Sequence, residues 1–227
     1  MISFVHLWIA SLSLTHLTSS HLFFSFLHLL QIKGAMDIPL SQIKPIYSLP
    51  SKTSTPIQDS QAIQSTLQTL SLRPHIEGGY FAETDIHPLR IPNPHTHQSP
   101  DDTTRAASSS IIYFLTPRSP LGAFHRNASR TVHTLHRGRG RYVILHADEA
   151  SRERNAGRKV AVESFVVGAG IERGERLQWV VDGGKYKASY LLPDTGTDGK
   201  DYENGEGTEG LLISEVCFSL AMGGLNV

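Results

Sequence analysis

Apolar and polar residues alternate in short runs over most of the chain, and Gly and Pro break the runs where helical connections would otherwise sit. Nine runs read as β-strands: 80–84, 109–116, 123–126, 131–136, 141–146, 160–167, 177–181, 185–192 and 211–216. Turn signals such as Arg137-Gly138-Arg139-Gly140 and Asp182-Gly183-Gly184 separate them. The pattern predicts an all-β antiparallel sandwich or barrel and argues against a βαβ sheet. One short helix precedes the strands. Asp59 or Ser60 caps it, Ile63, Leu67 and Leu70 share one face, and Pro74 stops it.

The flanks have a different texture. Residues 36–58 are rich in Pro, Ser and Thr without a sustained period and read as a linker arm, ahead of a domain over 59–216 and a tail over 217–227. Two stretches, 88–104 and 193–210, read as solvated loops. Residues 1–32 hold no Lys, Arg, Asp or Glu, yet Ser11, Ser13, Thr15, His16 and Thr18 to His21 interrupt their apolar run. Two localisations stay open. Translation from Met36 implies a cytoplasmic protein, whereas an active 1–32 segment implies membrane anchoring or secretion. Asn127-Ala128-Ser129 is a glycosylation sequon.

Composition narrows the function classes. Twenty-one basic and twenty-one acidic side chains cancel, which argues against nucleic acid and anionic membranes as partners. Cys217 stands alone, so the chain has no intrachain disulfide or CxxC site, and any metal must be held by His and carboxylates. Chemistry concentrates in Phe124-His125-Arg126-Asn127 and in Thr131-Val132-His133-Thr134-Leu135-His136. Strand alternation puts Thr131, His133 and Leu135 on one face and His136 on the other. Arg126, Arg130, Arg137, Arg139 and Arg141 form a basic run. Arg126 suits an anionic small molecule, while Arg137 and Arg139 read as edge charges that blunt aggregation.

Several blocks share their order and spacing with a known family. These are Leu72 to Thr84, which contains Glu77-Gly78-Gly79-Tyr80-Phe81 and Glu83; Ser110 to Leu115; Ala123 to Arg126; Gly174-Glu175-Arg176-Leu177-Gln178; and Val180 to Tyr186. Over 72–216 the chain resembles domain of unknown function 985, the fifth cupin class. The resemblance implies a cupin-type double-stranded β-helix, a jelly-roll barrel with a small-molecule pocket in its lumen, in a homodimer. It implies no established reaction. The positions of a typical cupin metal site correspond here to His125, Asn127, Thr131 and Gly138 in the first motif, and to Asp182, Gly184 and Lys187 in the second. Only His125 survives as a ligand, and Lys187 repels a divalent ion, so the expectation is no metal and no cofactor, with His133 beside His125 as the one unusual alternative.

The candidate pocket is then lined by His125, His133, Tyr186, Arg126 and Gln178, with Glu77, Glu83, Tyr80, Asn127 and Thr131 as further ligand contacts. Three activities stay open: an isomerase or epimerase with a His base and Tyr186 as acid, by analogy with metal-free epimerases on the same fold; a non-catalytic binder; and a metal-dependent oxygenase. Glu77 and Glu83 anchor either a ligand or an Arg across the dimer, and Gly78-Gly79 reads as a turn.

Overall fold

Two antiparallel sheets face each other in a computed structural model that describes residues 36–47, 58–93, 103–150, 160–195 and 207–219. The strands are β1 (Arg73–Pro74), β2 (Tyr80–Ile86), β3 (Arg90–Pro92), β4 (Thr104–Ala106), β5 (Ser108–Leu115), β6 (Leu121–Arg126), β7 (Arg130–Arg137), β8 (Gly140–Leu145), β9 (Val162–Val167), β10 (Gln178–Val181), β11 (Tyr186–Leu191) and β12 (Leu211–Phe218). One sheet runs β1-β2-β5-β12-β7-β10 and the other β6-β11-β8-β9. All nine runs foreseen from alternation are strands. The ladder of β3 with β4 corrects the reading of 88–104 as loop throughout: Pro92 lies opposite Thr104 at its end, where an edge tolerates a residue without an N–H.

Alternation sorts each strand into an inward and an outward register. Tyr113, Leu115, Tyr142, Ile144, Trp179, Leu191, Leu211 and Ile213 point inward and form the core between the sheets. The outward residues Val143, Leu145, Ala188 and Tyr190 form a second cluster, covered by Met36, Ile38, Leu40 and Ile43. The segment 36–47, read as a linker, is thus a strap packed on the four-stranded sheet, with Ile43 only 1% exposed. Its apolar residues alternate only briefly, at Met36, Ile38 and Leu40, before Pro-, Ser- and Thr-rich sequence takes over, and so short a run hid them from pattern reading. The strap is also why every residue of β8 is buried: its two faces each meet a hydrophobic layer. Asp37 accepts a hydrogen bond from the buried Arg141, fixing the strap at one end.

The helix α1 (Gln61–Thr69) begins as foreseen, with Ser60 Oγ accepting the Ile63 N–H at 3.2 Å. It is tied to the six-stranded sheet. Asp59 accepts from Thr116 Oγ1 and from the Arg118 N–H, both at 3.1 Å, and Arg137 donates to Thr66 Oγ1 at 2.9 Å while lying over the Phe114 ring. Arg137 and Arg139 are therefore not the free edge charges expected. Arg139 pairs with the buried Glu175 at 2.8 Å, because both ends of the hairpin are covered by neighbouring elements. The expectations for 1–35, and most of those for the 193–210 loop and the tail, fall outside the described residues. Among the described residues no helix is long and apolar enough to cross a membrane.

Candidate functional site

Four strands bring titratable side chains into the inward register of the barrel. On β6 and β11, His125 lies opposite Lys187; on β7 and β12, His133 lies opposite Glu215. Charged groups in a register otherwise filled by Leu, Ile and Tyr must find partners there. They find each other. Lys187 Nζ donates to Glu215 Oε2 at 2.6 Å and to His133 Nε2 at 2.7 Å, and the two acceptors are 3.4 Å apart. The Lys187 and His133 side chains are 2% and 0% exposed.

Nearer solvent, a second group lines the barrel mouth. The turn from His75 to Gly79 is held by the Ala123 N–H donating to Glu77 O at 2.7 Å and by Tyr113 Oη donating to Gly78 O at 2.8 Å. Gly78 and Gly79 have φ of +96° and +70°, and a Cβ on Gly78 would lie 2.1 Å from Leu121 O. Only glycine fits so close a crossing. The turn sets Glu77 Oε2 3.1 Å from His125 Nδ1 and 3.9 Å from His75 Nδ1. Exposure of the three side chains is 23–35%, so the lumen grades from a wet mouth at His75, Glu77 and His125 to a dry floor at Lys187 and His133.

The electrostatics follow from that gradient. Burial pushes the Glu77 carboxyl up to about 7; Lys187 opposes this and Glu215 reinforces it. Burial and then Lys187 push His125 down to about 4. His133 is also lowered, mainly by burial. Burial alone would raise Glu215, but Lys187 and His133 outweigh it and hold the carboxylate well below the usual range. At neutral pH both imidazoles are uncharged. His125 Nδ1 lies 2.9 Å from Ala123 O, an acceptor only, so that nitrogen carries the proton and Nε2 is bare. His133 Nε2 faces the Lys187 ammonium, which can only donate, so that nitrogen accepts and is bare.

The sequence-derived candidates divide by register. His125, His133, Glu77 and Thr131 share the inner face; Thr131 Oγ1 accepts from Asn127 Nδ2 at 3.0 Å at the barrel end. Five others lie elsewhere. Tyr186 and Arg126 pair across β11 and β6 on the outer face, one residue from the inward Lys187 and His125, with the Arg126 guanidinium 5.5 Å from the Tyr186 ring centre. A one-residue step along a strand reverses the face, so Tyr186 cannot be the lumenal acid and Arg126 cannot meet a ligand there. Gln178 is exposed and donates to Thr134 Oγ1 on the outer face. Tyr80 lies on that face as well, near Asp59 and Thr116. Glu83 is exposed and pairs with Arg73 of its own chain at 3.8 Å. Glu215 and His75 were missed. For Glu215 the signal was legible, as a carboxylate in step with Leu211 and Ile213.

A metal of the kind typical for cupins does not fit these residues. The ammonium of Lys187 occupies the point where His133 Nε2 and Glu215 Oε2 converge, at distances that leave no room for an ion. Among the described residues no three His, Cys, Asp or Glu side chains gather in a way that could hold one. A separate cleft of about 360 Å³ opens at the outer edge of β9, beside Asp37, Arg139, Phe165, Arg173 and Arg176. Its arginines are engaged: Glu175 binds Arg139 and Arg173, and Glu163 binds Arg176. The lumen is the chemically richer site.

Comparison with known proteins agrees with this architecture. The family model "Cupin superfamily (DUF985)" matches residues 64–219. The uncharacterized protein YML079W of Saccharomyces cerevisiae is 40% identical over 159 residues, 68% of this chain and 69% of its own length. A hypothetical protein from Leishmania major superposes with a TM-score of 0.52 at 27% identity, covering 69% of this chain and 80% of its own.

Proposed function

Because the chain belongs to the DUF985 family of the cupin superfamily, whose fold places side chains of both sheets in one lumen, we propose that it binds a small oxygen-rich metabolite there and exchanges a proton with it through Glu77 and His125. The observation that carries this reading is the Glu77–His125 contact of 3.1 Å at the open end of a lumen floored by a buried ammonium. A carboxyl that titrates near neutrality accepts and returns a proton with little driving force wasted, and it supplies the acid–base function that Tyr186 cannot.

The ligand class follows from Lys187. An ammonium has three N–H donors. Two meet His133 and Glu215, which leaves the third for a ligand oxygen. A carbonyl or carboxylate oxygen suits it, and the cation then stabilises negative charge that develops when a neighbouring C–H is deprotonated. Oxo acids, hydroxy acids and open-chain sugars have both features. The anionic ligand expected from Arg126 is thus referred to a different cation.

A panel of such compounds incubated with the full chain in D2O tests the reading. Proton NMR is expected to show exchange of carbon-bound hydrogen in at least one class, slowed about 100-fold or more in Glu77→Gln and His125→Gln. The same compound is expected to raise the melting temperature of the wild-type chain. Exchange that persists undiminished in both variants, or a panel that neither exchanges nor stabilises, contradicts it.

A further inference from the structure

The lumen lacks a metal fit for a specific geometric reason, and that reason assigns Lys187 a role. We infer that the Lys187 side chain is a built-in cation that replaces both the missing ligand and the metal ion of the barrel, so that the native chain excludes divalent ions from donors already arranged to receive one. Three observations converge on this. His133 Nε2 and Glu215 Oε2 are 3.4 Å apart, and a tetrahedral ion bound at about 2.0–2.2 Å sets its donors about 3.3–3.5 Å apart. The pair is at ligand spacing without an ion.

Second, the two donor atoms already share one cation. Lys187 Nζ lies 2.7 Å from His133 Nε2 and 2.6 Å from Glu215 Oε2, the atoms that would face an ion. His125, opposite residue 187 on the neighbouring strand, has its Nδ1 proton against Ala123 O and its Nε2 unprotonated. A backbone carbonyl on one imidazole nitrogen is the usual arrangement behind a histidine that ligates through the other. Third, the charge is already balanced. The ammonium lies 2.6 Å from the carboxylate, so the floor of the lumen pairs one positive with one negative group, and a divalent ion entering beside Lys187 meets repulsion at the point of convergence. Neither step depends on whether the chain turns over a metabolite.

Lys187→His is the direct test. It puts a third neutral donor beside His133 and Glu215 and completes a two-histidine, one-carboxylate set. Purified full chain is equilibrated with Co²⁺ or Zn²⁺, passed through gel filtration and analysed for metal, with Co²⁺ absorption reporting the ligand field. The wild-type chain is expected to retain none and to show no metal-dependent melting shift. Lys187→His is expected to retain about one ion per chain and to melt higher with it, and adding His133→Ala is expected to abolish both. Lys187→Ala opens the same space without a new ligand and is expected to take up the ion more weakly. If Lys187→His folds only with metal present, the inference is supported. If it folds in neither condition, uptake or its absence in Lys187→Ala decides. A stoichiometric ion in the wild-type chain, a folded Lys187→His that binds none, or uptake that survives His133→Ala overturns the inference.

Discussion

At the residue scale the lumen is a problem of buried charge. Lys187 and Glu215 lie in inward positions, 2% and 11% exposed, and neither is tolerable there without the other. Removing only the cation leaves a carboxylate in an apolar register. Lys187→Met is therefore expected to cost about 3–5 kcal/mol of stability, and Lys187→Met with Glu215→Gln much less than the sum of the two single changes. Urea denaturation of the three variants measures it. Additive costs would mean that the pair is not an energetic unit. The same residues show why the candidate site was half legible in the sequence. His125 and His133 stand out by type, and the register of β7 fixes one of them inward. On β11 the sequence offered both Tyr186 as acid and Lys187 at a metal corner, and adjacent strand residues cannot both face the lumen; Lys187 shares the inward face with Ser189 and Leu191, which leaves Tyr186 outside.

At the element scale the strap and the mouth turn decide what the sheets enclose. The nine strands were legible because alternation and Gly/Pro punctuation are local signals. The strap was not, since Met36, Ile38, Leu40 and Ile43 make sense only against the outward residues of β8 and β11, which lie about 100 and about 150 positions away. Ile43 is the most buried of them. Ile43→Ala is expected to cost about 2–5 kcal/mol by chemical denaturation, the range of a core truncation. A cost below about 0.5 kcal/mol, typical of surface sites, would show the strap to be detached in solution. The mouth turn was legible as a turn from Gly78-Gly79, but its purpose was not. The glycines let Glu77 O accept from Ala123 on β6, and that hydrogen bond delivers the carboxyl to His125.

At the scale of the whole molecule, the barrel acts as a graded dielectric. It opens at His75, Glu77 and His125 and closes at His133; the shifts of His75, Glu77 and His125 come first from burial and then from Lys187 or Glu215, while Glu215 is held low by Lys187 and His133 against its burial. The family's metal corners were recognisable in the sequence, and so was their loss. The arrangement that replaces them required the pairing of β7 with β12, a contact between strands some eighty residues apart.

The sign of the pH response follows from the mouth pair. Because Glu77 is raised from 4.5 to about 7, its contribution to stability is full below 4.5 and is lost as pH rises through 7. His125, lowered from 6.5 to about 4, contributes above 6.5 and is lost as pH falls through 4. The most direct test of the account is an NMR titration of the full chain that follows the Glu77 carboxyl carbon and the His125 ring. The account predicts a carboxyl midpoint near 7 and an imidazole still neutral at pH 5, with the carboxyl moving higher in Lys187→Met. A Glu77 midpoint near 4.5 together with a His125 midpoint near 6.5, the values of freely solvated side chains, would contradict it.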